Sequence, residues 1–434
     1  MYSSELPIIE YSENIANEVI YEKDSKLYVN FFETVEKFIS ENNLIVSGNT
    51  ANALLCDLDI NYNNFYEVYS IDPFIHAKEL ATELFNLDPD GLGRYVYVMT
   101  KIYKKHFIIS INFRMSVSII LFPKINNIGS IDIIPFVPKP SIFNEDIKLL
   151  CMSPEIQLIN IYYSLTNPAF IKSWKTDLQY ERILSLQLTS TKRNEAKTHF
   201  HPFRGILLDR FVPNYGRVLI GSAAINITTN IQIPGMDLLQ VITENDFEYE
   251  FEEIKKLAED FNVTYKINDL NIIMDSRLKK MTVFINEHNQ KIPIITIFNA
   301  AKFDLIPFVP INFLYGKVSK HLNSSIKVGT PFLIMRYKMI DLYLLNIVYK
   351  LGSIKIKFME QMREEILNSY DHISKYYEKK IKNCDIDKFI LPLSNYIGRF
   401  EQHDLHIKRV IFQNALKSKE EGKFYPNYFP LMHR

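Results

Sequence analysis

Asp132 sits in "GSIDIIPFVP" (129–138), an otherwise apolar run closed by Pro-Phe-Val-Pro. A carboxylate on a buried strand costs desolvation energy unless a cation meets it. A metal ion is one such cation; a Lys or Arg partner, or an exposed strand end, is the ordinary alternative. Glu67, in "FYEVYS" (65–70), is a second acid on a short apolar stretch. Acids two apart on a strand share a face, and a third acid from a neighbouring strand completes a set able to hold two magnesium ions. Such a pair activates an attacking hydroxyl and stabilises a leaving pyrophosphate. "CDLDI" (56–60) offers Asp57 and Asp59 in the same alternating pattern, although only seven residues separate Asn49 from Asp57. A solvated helix end or loop explains that pair equally well. Gly48-Asn49, between an apolar strand and small residues suited to a helix start, allows close backbone approach to a phosphate at a helix N-terminus.

The elements that must position these residues occur twice. "KFDLIPFVP" (302–310) repeats the Asp132 segment with Asp304, and "RVLIGSAAINITT" (217–229) repeats "NLIVSGNTANALL" (43–55). "LLQVITENDFEYEFEEIKKLAEDF" (238–261) repeats "FYEVYSIDPFIHAKELATELF" (65–85), each a short strand, a turn and an amphipathic helix. Gly48 and Gly221 are 173 residues apart and Asp132 and Asp304 are 172 apart, so order and spacing are both kept. The pattern predicts two copies of one α/β unit, 31–150 and 213–315. An N-terminal arm (1–30) precedes them, a helical linker (151–212) joins them, and a helical region (316–434) follows. In the second copy Leu238 and Gln240 stand where the first has Phe65 and Glu67, and Asp237 falls out of phase. That copy is too poor in acids for a two-metal centre to be expected there.

Composition bounds the rest. A chain of 434 residues, 47% hydrophobic, buries more than one core. Fifty basic residues balance fifty acidic ones, so no overall field attracts nucleic acid and an anionic ligand must meet a local patch. Cys56, Cys151 and Cys384 lie far apart without a C-x-x-C, against both a zinc site and a disulfide framework and in favour of a reducing compartment. The N-terminus carries acids where a signal peptide needs an apolar run. "FLIMRYKMIDLYLLNIVYKL" is broken by Arg336, Lys338 and Asp341, which predicts a soluble protein without a membrane helix. P-loop, serine-hydrolase and dinucleotide-binding motifs are absent. His199 and His201 lack further ligands at zinc spacing, and Trp174 reads as a packing residue. Basic and aromatic residues interleave from "FIKSWKTDLQYERIL" through "TKRNEAKTHFHPFRG", a pattern shared by RNA contacts and by helices with a core stripe and solvated charges. "KVSKHL" (317–322) is a small basic cluster without an assigned use.

The order glycine turn, strand acid, third acid is that of the nucleotidyltransferase fold. With "SPEIQLINIYYSLTNPAFIKSWKTDLQYERIL" (153–184), "MRYKMIDLYLLNIVYKLG" (335–352), "NYIGRF" (395–400) and "FYPNYFP" (424–430), the chain resembles the poly(A) polymerase catalytic subunits of nucleocytoplasmic large DNA viruses, of the mimivirus, asfarvirus and poxvirus kind. The resemblance implies an α/β (α+β) protein of two tandem nucleotidyltransferase-like domains, each a small mixed sheet with helices, plus helical linker and C-terminal regions. It implies that the first copy is the catalytic one, with ATP as substrate and an RNA 3′ end as acceptor. Gly48 and Asn49 would then bed the triphosphate. Asp132 and Glu67, helped by Asp57 or Asp59, would hold Mg²⁺ or Mn²⁺. It also implies a homodimer or a processivity subunit as partner, no membrane, and a place in the cytoplasm of an infected cell or in the virion. The chain departs from the pattern where such enzymes carry Asp-x-Asp, because Phe65 cannot ligate a metal. Glu67 is longer than aspartate, and Gly48-Asn49 replaces Gly-Gly or Gly-Ser. Those departures support a rival expectation: a catalytically degenerate paralogue that binds RNA or supports an active subunit. A nucleotidyltransferase acting on protein or a small molecule is a third.

Overall fold

The structure is a computed structural model. It describes residues 29–58, 65–102, 106–111, 115–121, 136–141, 144–167, 170, 173–189, 202–214, 216–229, 239–261, 265–268, 279–287, 290–299, 306–310, 325–350, 356–381 and 395–397. The chain divides into two compact units, one built from 1–122, 136–152 and 409–434, the other from 123–135 and 153–408.

In the first unit, helix α1 (29–41) buries Phe31, Phe32, Val35, Phe38 and Ile39, an apolar stripe at helical spacing. Asn43, in the left-handed region at φ 50°, stops it. Strand β1 (Ile45–Ser47) follows, wholly buried, and then helix α2 (Gly48–Cys56). Strand β2 (Phe65–Ser70) leads to helix α3 (Pro73–Leu87). The Asp72 carboxylate accepts from the Ile75 N–H and Pro73 occupies the first turn, the residue types that start a helix. Strands β3 (Val96–Ile102), β4 (His106–Ile111) and β5 (Met115–Leu121) form a meander. β6 (Phe136–Pro140) and β7 (Lys148–Met152) form a further antiparallel pair. The sheet order is β3-β4-β5-β2-β1-β7-β6. β5 runs parallel to β2, and β7 parallel to β1, while β2 is antiparallel to β1. Of the "IIPFVP" segment, expected as a buried strand, the described residues from Phe136 onward belong to β6, a half-exposed edge strand. Its two prolines lack ladder donors and suit an edge.

The second unit opens with helices α4 (Pro154–Leu165), α5 (Trp174–Thr189) and α6 (Pro202–Ile206), the last continued by a π turn, Leu207–Phe211. Strand β8 (Arg217–Ile220), helix α7 (Gly221–Thr229), strand β9 (Leu239–Thr243) and helix α8 (Phe247–Asp260) repeat the opening of the first unit. Strands β10 (Tyr265–Asn268), β11 (Lys279–Glu287) and β12 (Gln290–Asn299) make the meander. β13 (Ile306–Pro310) and β14 (Lys327–Gly329) complete the copy. Helices α9 (Pro331–Lys350) and α10 (Ile356–Ile381) and the short strand β15 (Asn395–Ile397) follow. The order β10-β11-β12-β9-β8-β14-β13-β15 matches the first sheet strand for strand, with β15 added at one edge. Every corresponding pair keeps its direction. The fold class is therefore the expected one, two mixed sheets with helices.

The duplication reaches single hydrogen bonds. Ser70 Oγ, at the end of β2, accepts from the Asp72 N–H and pairs with His76 on α3. Thr243 Oγ1, at the end of β9, accepts from the Asn245 N–H and donates to Glu250 on α8. Glu250 also receives Arg217 Nε at 2.7 Å, and Arg217 donates to the Phe211 carbonyl at 2.6 Å and to Glu253. Arg217 and Glu250 are both fully buried. α9 is buried on nearly every side from Pro331 to Leu345. Among the described residues no helix is long and apolar enough to cross a membrane.

Candidate functional site

β1 ends at Ser47, and Gly48 starts α2 at φ +66°, a conformation glycine adopts without strain. Glu67 pairs across the ladder with Ser47. A Cβ placed on Gly48 would lie 3.4 Å from Glu67 Cβ and 3.6 Å from its Oε1, so the glycine turn and this acid are brought together. Thr50 Oγ1 donates to the Phe65 carbonyl at 2.8 Å and ties α2 to the start of β2.

Strand alternation puts Phe65, Glu67 and Tyr69 on one face of β2 and buries Tyr66, Val68 and Ser70 on the other. Tyr66 donates to buried Glu36 at 2.8 Å, so the acid behind the sheet is a structural acceptor. On the open face Phe65 is 36% exposed. The residues level with Glu67 decide what this face can hold. On β1 that residue is Ser47, on β5 it is Ser118, and Ser116 lies level with Phe65. Ser118 Oγ pairs with His106 Nε2 at 3.1 Å, while the buried Ser47 hydroxyl has no hydrogen-bond partner among the described residues. Both strands flanking the acid strand thus present hydroxyls at the level where a metal pair needs carboxylates. Hydroxyls carry no charge to offset two divalent ions. Among the described residues no group of three or more His, Cys, Asp and Glu could hold a metal. Those residues do not fit a two-metal centre.

Asp57 is placed elsewhere. Cys56 ends α2 and Asp57 is its C-cap, at φ 49°, so these two residues belong to a helix end and not to an alternating strand. Its carboxylate is 83% exposed and 2.9 Å from Lys139 Nζ. The nine residues of α2 put it about 13 Å along the helix from Gly48. Asp59, Asp132, Asp304, His199, His201 and the 317–322 cluster lie outside the described residues. Trp174 is buried and its Nε1 donates to the Ser164 carbonyl at 2.7 Å, a packing role.

In the second unit Gly221 holds the equivalent turn at φ +76°, and Gln240 stands at the Glu67 position, level with Ile220 and Thr296. A Cβ on Gly221 would come within 2.8 Å of Gln240 Cβ and 2.9 Å of its Cδ. Gln240 Nε2 donates to Asp341 of α9, which Lys280 Nζ also reaches at 2.6 Å. In the sequence Asp341 stands out only as an interruption of an apolar run. A lone acid in that run was the available signal for a buried pair.

The fold class defined by these two duplicated sheets is that of poly(A)-polymerase-like two-domain proteins. The chain superimposes on the crystal structure of the Megavirus polyadenylate synthase with a TM-score of 0.62, over 97% of this chain and 84% of that one, at 15% identity. What the two share at that identity is the fold. In sequence, the chain is 28% identical over 418 residues to an uncharacterized protein of African swine fever virus from a Malawi tick isolate, covering 93% of this chain and 94% of the relative. It is likewise 28% identical over 420 residues to the same protein of a South African tick isolate, with the same coverage. No protein-family model matches the chain.

Proposed function

We propose that this chain is a poly(A)-polymerase-like nucleotidyltransferase-fold protein whose first unit binds single-stranded RNA without transferring nucleotides to it. The observation that carries this reading is the set of residues level with Glu67 among those described: Phe65 in the other acid position, and Ser47 and Ser118 on the flanking strands. The same face carries Phe65, Tyr69, Tyr97 and His106, all at least partly exposed, and aromatic rings on an open sheet face stack bases. On this reading the RNA-binding unit spans 31–150 and its degenerate copy 213–315. Residues 1–30, 151–212 and 316–434 serve as arm, linker and helical support. The protein works in infected-cell cytoplasm or the virion, alone, as a homodimer or beside an active subunit.

The contact between Gly48 and Glu67 favours a second reading, an active polymerase adding AMP from ATP to RNA 3′ ends. There Gly48 and Asn49 bed the β/γ-phosphates, and Glu67 with Asp132 holds Mg²⁺ or Mn²⁺. One experiment separates the two. The purified chain is incubated with a labelled RNA primer, each nucleoside triphosphate in turn, and Mg²⁺ or Mn²⁺. Binding without extension is expected, and Phe65→Ala weakens binding by about 1–3 kcal/mol, the worth of one stacked base. ATP-dependent extension that Glu67→Ala or Asp132→Ala abolishes establishes the second reading, and failure to retain RNA at all refutes the first.

A further inference from the structure

We infer that the second unit is a self-ligated site, in which Lys280 takes the place of a metal ion and the Gln240 carboxamide oxygen takes the place of a ligand oxygen at the glycine turn. This holds whether or not the first unit turns over ATP.

The face of the second sheet that corresponds to the Glu67 face is closed. In the first unit Glu67, Tyr69 and Ile120 of that face are partly exposed, whereas their counterparts Gln240, Ile242 and Phe298 are buried; Ser118 and Thr296 are buried in both. The cover is α9, whose Tyr337 ring meets the Phe298 ring edge-on at 4.9 Å. α9 also brings an acid to this face. Asp341 is 4% exposed, and a carboxylate so buried requires a counter-cation. Here the cation belongs to the chain: Lys280 Nζ lies 2.6 Å from Asp341 Oδ1 and 5.6 Å above the Phe298 ring.

Gln240 completes the arrangement. Its Nε2 donates to the other Asp341 oxygen, and that pairing fixes the amide, since the opposite orientation would set oxygen against carboxylate. Oε1 is left pointing at the first residue of α7, where it is the nearest atom to a Cβ built on Gly221. It is buried and, among the described residues, has no hydrogen-bond partner. The positive end of a helix is where an anionic ligand's oxygen would otherwise sit. Charge balance at Asp341 and occupancy of the turn are thus both supplied from within.

The test is hydrogen exchange of the full chain, followed in 217–229 and 239–243, with and without millimolar Mn²⁺. The wild-type protein is expected to ignore Mn²⁺. Lys280→Ala leaves Asp341 buried without its cation, so opening of these segments rises by about a hundredfold or more. Mn²⁺, but not Na⁺, reverses a large part of that rise. In the double variant Lys280→Met/Asp341→Asn both the added opening and the Mn²⁺ response disappear. Wild-type protection in Lys280→Ala, protection of the wild-type protein by Mn²⁺, or indifference of Lys280→Ala to Mn²⁺ overturns the inference. Should Lys280→Ala not fold, the double variant decides the matter: it folds if an unbalanced charge was the fault, and its failure to fold refutes the surrogate role.

Discussion

The two glycine turns provide a matched pair for mutation. Gly48→Ala and Gly221→Ala make one chemical change at equivalent positions, at φ +66° and +76°. Both force an L-residue into the left-handed region, at about 1–2 kcal/mol each. Their neighbours differ. At Gly48 the new methyl would meet Glu67 at 3.4–3.6 Å, an ordinary contact, so the backbone term is the whole cost. At Gly221 it would overlap Gln240 Oε1 and crowd Gln240 Cβ at 2.8 Å. Cβ is fixed to β9, so the side chain must turn away and give up its bond to Asp341. A hydrogen bond to a charged group contributes about 1.5–3 kcal/mol, which brings Gly221→Ala to about 3–5 kcal/mol. The difference, about 1.5–3 kcal/mol, corresponds to roughly 10- to 150-fold more frequent opening. Native-state hydrogen exchange of 43–56 in one variant and 217–229 in the other measures each cost where it arises. Equal costs, or a larger one at Gly48, would refute the claim that Gln240 fills the second turn.

Other outcomes follow from the buried charges and thiols. Arg217→Ala strands buried Glu250 and is expected to destabilise the second unit by about 3–5 kcal/mol in urea denaturation, whereas Arg217→Met with Glu250→Leu regains most of the loss. Burial pushes the Glu253 carboxyl up, but hydrogen bonds from Arg217 and Tyr249 and the charge of Arg217 outweigh it and hold the group below its ordinary value of 4.5. With the folded value depressed, its stabilisation is complete above pH 4.5 and is lost as pH falls through the lower folded value. The urea midpoint should therefore decline on acidification below that point, and Glu253→Gln should flatten the decline. Burial raises the Cys56 thiol to about 11 and the Cys151 thiol to about 12. Neither should react with iodoacetamide in the native protein at neutral pH, as peptide mass spectrometry can check, because the thiolate is the nucleophile.

Some of this architecture is written in consecutive residues. The strand at 45–47, the Gly48 turn and the helix after it follow from an apolar run, Leu44 to Val46, closed by Ser47, a residue free to take positive φ, and small helix formers. The same local grammar at 217–229, at an offset of 173, fixes the duplication. Which strands become neighbours is not local. Chain order pointed to Asp132 as the third acid, because it lies on the next apolar run that carries one. The strand alongside β2 is β5, and it sets Ser118, fifty-one positions after Glu67, level with that acid, while Asp132 lies outside the described residues. Asp57 shows the same limit at short range: its alternating pattern suited a strand, yet α2 persists through Cys56 and ends on it.

The charges mark the boundary most clearly. Arg217, Lys280 and Asp341 are visible in the sequence as polar residues within or beside apolar runs, which says only that their burial needs compensation. Glu250 is thirty-three residues from Arg217, and Lys280 sixty-one from Asp341. Periodicity is a property of neighbours along the chain, so residue order alone determined the strands, the helices and their repetition. Ion pairing and strand adjacency depend on distances through space, set only when the sheets close, and there the tertiary structure decided that one copy keeps an open face and the other fills its own.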